Sequence, residues 1–439
     1  MPRIRTKWER FRDPIHGFIY VSPLEMKIVD SVPFQRLRRV KQLALTHLVY
    51  HGAEHTRFGH SLGVMELASR AFDIIVHKRP LKEIWTDPKK IEWYKQILRL
   101  IALIHDLGHP PFSHASEGVL PEGMEHEIFT EKIVKETEVG EIIREIGREM
   151  IATTGDDAYD ITPELVCEIY LGKIKELNFI LLKKLMDSEL DADKMDYLLR
   201  DSHYCGVNYG TYDIDRLLGS LTVFNDKNGL RLAVEEGGLH AVEEFILARY
   251  FMFVQVYFHR TRRLYDLMLT NFLKSSLLGG VYPTEVKEYL KWDDYRVYGL
   301  MSSLKEKNIW AQRILDRDLV RESYRTPTHS EESEKREFRL MFADLKSRFG
   351  QENLIVDQAS KLPHKIPTRV SVDDERAILM LNDFSELPDS ISQASEIIKN
   401  ITKPINIYRI YTEDAIYNEV KSYCRQRELA ARGAYQEEI

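Results

Sequence analysis

The chain has 439 residues, 44% of them hydrophobic, with 5 Trp and 18 Phe, which is enough to fill a real core and long enough for two or more domains. A formal charge of -7 and an isoelectric point near 6.1 exclude a general nucleic-acid coat, which needs an excess of Lys and Arg against phosphates; a local basic pocket stays compatible with them. The first residues, MPRIRTKWERFRDP, lack the apolar core of a secretory signal, and the longest greasy run, 97–104, is interrupted by Arg99 and too short for a bilayer, so a cytoplasmic protein without a membrane span is expected. Cys167, Cys205 and Cys424 are far apart and odd in number, as fits scattered reduced thiols.

In chain order, DPIHG at 13 reads as a turn, since Pro14 and Gly17 suit one. QRLRRVKQL at 35–43 is strongly basic, and an amphipathic helix burying Phe34, Leu37, Val40 and Leu43 is favoured over a nucleic-acid contact. IEWYKQILRLIALIHDLG carries apolar residues at 97, 98, 101, 104 and 107, a spacing of three and four that predicts a central helix with one broad buried face. Gly108 and Pro110-Pro111 should end it, placing His105 and Asp106 in its last turn. DADKMDYLLRD at 191–201 is helical, with Asp193, Tyr197 and Asp201 on one polar stripe and Asp191 on the opposite side. Residues 221–234 alternate about an Asn-Asp-Lys-Asn-Gly turn and predict a small hairpin inserted among helices. FMFVQVYFHRTRR reads as an aromatic core helix ending in cations, with Arg263 and His259 as candidates to meet substrate phosphates.

Residues 316–338 are polar and charged, as for a helix end followed by a solvated linker or flexible loop. Beyond about 350, ENLIVD, RAILML and INIYRIY are short β-rich runs with one helix between the last two. The expected fold is mainly α, a helical bundle with an inserted hairpin and a small C-terminal α+β subdomain, divided at 1–220, 221–345 and 346–439.

Nine of the fifteen histidines fall between positions 47 and 126. Each alone reads as an ordinary hydrogen-bonded imidazole, but together they point to a site. His105 and Asp106, about 100° apart on a helix, can straddle one ion; His60 is a candidate third ligand, and a fourth could come from 188–201. The competing reading of that last segment is an exposed helix with intrahelical pairs such as Asp196 with Arg200. Two imidazoles and two carboxylates suit a divalent Mn, Fe, Zn or Ni ion, and Mg less readily.

His60, His105-Asp106 and Asp193 resemble the signature of the HD-domain phosphohydrolases. DPIHG at 13, FQRLRRVKQL at 34, RFGHSLGV at 57, HDLGHPPFSH at 105, HE at 126 and DADKMDYLLRDSHYCGV at 191 further resemble, in order and spacing, the deoxynucleoside triphosphate triphosphohydrolases of that superfamily. The resemblance is dense over about residues 10 to 220, and QVYFHRTRR is similar to a later helix of the family. It implies an HD-domain bundle with His60, His105, Asp106 and Asp193 as metal ligands. Arg57 would meet the α-phosphate, and Lys194 the outer phosphates. Tyr197 and Asp201 would line the sugar, the latter accepting from the 3'-hydroxyl, with Gln42 on the other side and Leu43 crowding the 2'-position. His109, His114 and His126 would work at the scissile bond, with Glu117 orienting His126. A homo-oligomer, dimer or tetramer, with a nucleotide activator between subunits is also implied.

The chemistry asks for the same residue types. Cations lower the barrier where charge spreads over phosphate oxygens, and a weak water nucleophile needs a metal or a base. The expected reaction is hydrolysis of a deoxynucleoside triphosphate at the α-phosphorus, with His126 or His114 protonating the leaving group and tripolyphosphate released. The alternatives are an HD phosphohydrolase acting on guanosine tetraphosphate, a cyclic nucleotide or a nucleoside monophosphate, and a nucleotide-sensing or single-strand-binding module.

Overall fold

A computed structural model describes residues 7–226, 229–366, 377–382 and 387–437. Among the described residues the protein is mainly helical with three small sheets. At its centre the helices Arg57–Val76 and Pro88–Ile104 pack against each other, and the helix Ala192–Cys205 lies across the first. Asp87 caps Pro88–Ile104 by accepting from the Lys89 amide, with Pro88 in the first turn. Every residue from Ile97 to Ile104 is buried, so the predicted one-sided stripe is surrounded on all sides. Arg99 is tolerated there because its Nε and Nη2 clasp both oxygens of buried Glu25 at 2.7 and 2.8 Å.

This helix ends earlier than the prolines suggest. Ile104 is its last residue, His105 caps it, and Asp106 belongs to the turn beyond. The turn tightens to Leu107 N–Ile104 O and His109 N–Asp106 O bonds, while Thr130 Oγ1 and Tyr170 Oη donate to the His105 carbonyl from outside. Gly108 is required at this point, since a methyl group there would overlap the carbonyl of His126.

The basic stretch after Phe34 buries Phe34, Leu37, Val40 and Leu43 as expected, but as a short helix Val32–Arg36 and a 3-10 turn Leu37–Arg39 rather than one helix. Arg36 points inward, fully buried, and donates to the carbonyls of Trp292 and His109; holding those loops outweighs continuing the helix. Residues 253–257 form a π-helical turn before the helix Arg260–Ser276.

The hairpin Leu221–Asp226 with Gly229–Glu235 is antiparallel; Lys227 and Asn228 of its turn lie outside the described residues. It is not isolated: Gly229–Glu235 pairs in parallel with Leu379–Leu381, which pairs with Asp389–Ser390. The expected linker at 316–338 instead contains a strand, Arg321–Arg325, and the start of a helix, Glu332–Phe349. The strand is held by Ile405–Thr412, which pairs on its other edge with Leu354–Lys361; polar composition cannot register an edge strand whose ladder partner lies about 85 residues away. Two short helices, Ile391–Ala394 and Glu396–Asn400, stand where one was expected. The three cysteines are buried and free, and among the described residues no helix is long and apolar enough to cross a membrane.

The helices Arg57–Val76 and Ala192–Cys205 touch at Gly63. A methyl group there would overlap the Asp196 carboxylate and the Arg200 guanidinium. Gly63→Ala is therefore expected to lower stability by roughly 1–3 kcal/mol, read as an earlier midpoint in urea; an unchanged midpoint would mean that the helices are not held this closely.

Candidate metal centre

His60 sits in the first turn of Arg57–Val76, Asp193 in the first turn of Ala192–Cys205, and His105 and Asp106 at the end of the central helix. Their polar atoms converge. His60 Nε2 lies 3.0 Å from Asp193 Oδ1 and 3.7 Å from Asp106 Oδ2, and His105 Nε2 lies 3.2 Å from Asp106 Oδ1 and 3.9 Å from Asp193 Oδ1. The ligand atoms of His60, His105 and Asp106 fall within 4.8 Å of one another.

The remaining ring atoms assign the tautomers. His105 Nδ1 faces the Ala102 carbonyl at 2.7 Å and His60 Nδ1 faces Asp196 Oδ2 at 2.7 Å, so both carry the proton on Nδ1 and turn the Nε2 lone pair inward. His105 Nε2 is buried without a hydrogen-bond partner, the state of an imidazole nitrogen that serves a cation. Burial alone would lower the His60 pKa, but the hydrogen bonds to Asp193 and Asp196 outweigh it and hold it at about 10; a divalent ion can take the place of that second proton. Burial disfavours ionised Asp106, yet Arg57, His105 and His109 keep it well below the usual carboxylate range. The donor set fits a divalent transition ion.

Asp196 is the support beneath His60, and its role is not legible in an i,i+4 pattern. The predicted pair with Arg200 exists, with Nε–Oδ2 and Nη2–Oδ1 both 2.8 Å, but both residues are buried rather than exposed. His16 Nε2 meets Asp196 Oδ1 at 2.6 Å, and Arg200 Nη1 meets Asp13 Oδ2 at 2.9 Å. Asp13 also accepts from the Ile15 and His16 amides, so the DPIHG turn is folded onto the back of the centre.

Beside the centre lies a histidine cluster. His109 Nε2 is 3.2 Å from Asp106 Oδ1, and the His109 and His126 rings stack with centroids 3.9 Å apart. Glu117 Oε1 accepts from both His114 Nδ1 and His126 Nδ1 at 2.9 Å. Burial, together with Arg57 and His126, keeps His109 neutral. Burial would also lower the His126 pKa, but its bond to Glu117 raises it. Both histidine contacts hold Glu117 far below its ordinary range against the opposing effect of burial. His114 stands exposed at the rim.

A cleft of about 640 Å³ opens here, and Gln42, Leu43, His114, Glu117, Asp193, Lys194, Tyr197 and Asp201 all line it. Arg57 does not line it; Arg57 Nη1 binds Asp106 Oδ2 and Nε binds Ser113 Oγ, both at 2.7 Å, leaving a buried Nη2 without a partner. Asp191 caps its helix through the Lys194 amide and binds Lys194 Nζ at 2.7 Å. Both oxygens of Asp201 already accept, from His55 Nε2 at 2.8 Å and Tyr257 Oη at 2.6 Å, though a carboxylate has lone pairs to spare. Of the two later candidates, Arg263 reaches the cleft wall while paired with Asp357, whereas His259 does not line it. Arg249, Tyr257, Arg262 and Lys361 line the cleft without having been legible in the sequence, because nothing in their spacing separates them from core and surface residues of ordinary helices and strands.

A buried His-Asp ion site at the convergence of three helices defines the HD class of helical domain. The HD domain family matches residues 57–196 and the HD associated region matches residues 212–425. A crystal structure of a hypothetical protein from Aquifex aeolicus superposes with a TM-score of 0.77 at 34% identity, covering 95% of this chain and 100% of that one. The uncharacterized protein YwfO of Bacillus subtilis is 38% identical over 265 residues, 60% of this chain and 54% of that protein. Deoxynucleoside triphosphate triphosphohydrolase SAMHD1 of Gallus gallus is 30% identical over 279 residues, 59% of this chain and 44% of that protein. The matched region thus spans about half the length of these two relatives. The chain belongs to the HD-domain phosphohydrolase family with an HD-associated region.

Proposed function

We propose that the protein hydrolyses deoxynucleoside triphosphates to the deoxynucleoside and tripolyphosphate. The observation that carries this reading is the cleft itself: one cavity joins Asp193 of the ion site to the cations Lys194, Arg249, Arg262 and Arg263 and to Gln42, Leu43, Tyr197 and Asp201. The likeness to a protein named a deoxynucleoside triphosphate triphosphohydrolase supports it. Phosphate oxygens would face the cations, with Lys194 at the outer phosphates and Arg57 at the α-phosphate through its free Nη2. The sugar would lie between Tyr197, Asp201 and Gln42, with the Leu43 side chain, which offers no hydrogen bond, at the 2'-position. A divalent cation held by His60, His105, Asp106 and Asp193 would supply Lewis-acid charge against the phosphate oxygens.

His126, protonated beyond its ordinary range by Glu117, is the group that gives a proton to the leaving oxygen, with His114 and neutral His109 beside it. Residues 1–220 would form the catalytic core, 221–345 an extension packed on it and 346–439 the C-terminal subdomain. A homo-oligomer with an activating nucleotide between subunits accompanies this reading. Incubating the protein with each of the four deoxynucleoside triphosphates and with ribonucleotides tests it: deoxynucleoside plus tripolyphosphate is expected, whereas pyrophosphate plus monophosphate, or orthophosphate alone, would refute it.

The pH profile carries a sign. Because the His126 pKa is raised, the imidazolium persists above the ordinary histidine range, and turnover should fall only as pH rises through that raised value. His126→Ala should cost about 10²–10⁴-fold in kcat, and Glu117→Gln should move the alkaline limb of kcat to lower pH. A limb that stays in place in Glu117→Gln would remove His126 from the acid role. The same shift stabilises the fold fully below the unfolded histidine pKa, and that contribution is lost as pH rises through the folded value.

A further inference from the structure

Two segments far apart in the sequence line the cleft: residues 42–44, which supply Gln42 and Leu43, and residues 112–118, which supply His114 and Glu117. Both are wound into backbone that side chains avoid. Ala44, Phe112 and Ser113 have φ of 51°, 59° and 54°, and all three line the cleft. Among the described residues Arg317 is the one other non-glycine residue with positive φ, and it lies outside this wall. A left-handed conformation crowds the side chain against its own following carbonyl, so it persists only where contacts from elsewhere over-determine it.

Those contacts come from the start of the helix Asp294–Leu304. The Asp294 side chain, 2% exposed, accepts from the Lys41 amide on Oδ2 at 2.9 Å and from the Phe112 amide on Oδ1 at 2.7 Å. Just before it, the Trp292 carbonyl accepts from Arg36 Nε at 2.7 Å, Arg36 Nη2 donates on to the His109 carbonyl at 2.9 Å, and Asp293 pairs with Arg39. Ser113 Oγ adds a direct tie by donating to the Lys41 carbonyl at 2.6 Å. Asp294 differs from the other ties in spending one oxygen on a backbone amide of each segment, so the spacing of its two oxygens sets the spacing of the segments. An asparagine of the same size could not do this, because its NH2 would face one of the two N–H donors.

We propose that Asp294 is a positioning residue of the cleft: by accepting from the Lys41 and Phe112 amides at once, it holds the sugar-side residues Gln42 and Leu43 in register with His114 and Glu117, and it releases them when it is protonated. What is positioned rests on the triphosphohydrolase reading; the clamp itself does not. Burial pushes the Asp294 pKa up to about 7, against the two amide bonds and the charges of Lys41 and Arg36, which lower it. Tyr282 and Tyr298 also face it, and burial raises both above the ordinary tyrosine range, so they stay neutral. His47 meets Tyr298 Oη rather than Asp294, and burial and Lys41 hold its pKa below the ordinary value. A protonated carboxyl presents one carbonyl oxygen and one hydroxyl to two donors. The clamp therefore closes as pH rises through about 7 and loosens as pH falls through it.

The test pairs turnover with amide hydrogen exchange on the full metal-loaded chain. In the wild type, kcat/KM for deoxynucleoside triphosphates should rise with pH through about 7, and exchange at the Lys41 and Phe112 amides, corrected for its intrinsic pH dependence, should slow together over the same range. Asp294→Asn should lower kcat/KM on the alkaline side of that range about tenfold, mostly through KM because Gln42 and Leu43 hold the sugar. The variant should also lose the rise with pH and exchange faster in both segments. Should Asp294→Asn fail to fold, the wild-type exchange profile decides by itself. Protection at Lys41 and Phe112 that ignores pH would overturn the proposal. So would faster exchange in Asp294→Asn with kcat/KM and its pH profile unmoved, the mark of a tie that serves the fold alone. A clamp that titrates as expected, in a protein that makes no deoxynucleoside and tripolyphosphate, would refute the function proposed above and leave the coupling of the two segments standing.

Discussion

Asp106→Ala is expected to lower turnover of deoxynucleoside triphosphates by about 10³-fold or more and to strip the purified protein of its metal. The side chain is 3% exposed and serves four groups at once: Oδ1 lies 3.2 Å from both His105 Nε2 and His109 Nε2, and Oδ2 lies 2.7 Å from Arg57 Nη1 and 3.7 Å from His60 Nε2. Removing it takes one charge from the ion site and leaves the buried Arg57 guanidinium without its counter-charge. Asp106→Asn separates the two losses, since the amide keeps the volume and one acceptor while the charge is gone. Elemental analysis of both variants beside their turnover checks the result. An Asp106→Ala protein with full metal content and full activity would place the ion, and the chemistry, elsewhere.

The second large effect is expected at Asp196, which touches no cleft and is fully buried. Its carboxylate receives His60 Nδ1, His16 Nε2 and the Arg200 guanidinium. Asp196→Ala takes from the buried Arg200 the carboxylate that meets its Nε and Nη2, leaving Asp13 as its remaining counter-charge, and breaking a buried pair costs up to about 3–5 kcal/mol. It also frees the His60 ring to rotate and to change tautomer, which should weaken metal binding about 10–100-fold. Urea unfolding reads the first effect, and metal titration of the still-folded fraction under stabilising conditions reads the second. Loss of stability with unaltered metal affinity would show that Asp196 holds the fold but does not orient His60. Unaltered stability would contradict the buried network outright.

Both experiments fall on residues that differ in how readable they were. Asp106 announces itself: an apolar helix running into His105-Asp106 within a histidine-dense stretch demands a chemical explanation, and geometry then brings His60 and Asp193 to the same point. Asp196 does not. An aspartate four residues before an arginine has the same pattern on a solvated helix as in a buried one, and only packing against Gly63 and the DPIHG turn tells the two apart. The cations Arg249 and Lys361 were silent for a related reason. Each is a single charge in an unremarkable element, and what matters is that a helix and a distant strand deliver them to one wall.

The sequence by itself determined the helical character, one buried face of the central 97–104 segment, the hairpin and the residue types of the ion site, because these follow from local periodicity and from the chemistry of side chains close in the chain. Tertiary structure alone decided where the central helix stops, since Thr130 and Tyr170 claim the His105 carbonyl from outside. It turned a polar stretch at 321–325 into a strand, since only Ile405–Thr412 offers the ladder. It also decided which charges are buried together, since burial depends on what packs against a residue from far along the chain, a quantity that no local window contains.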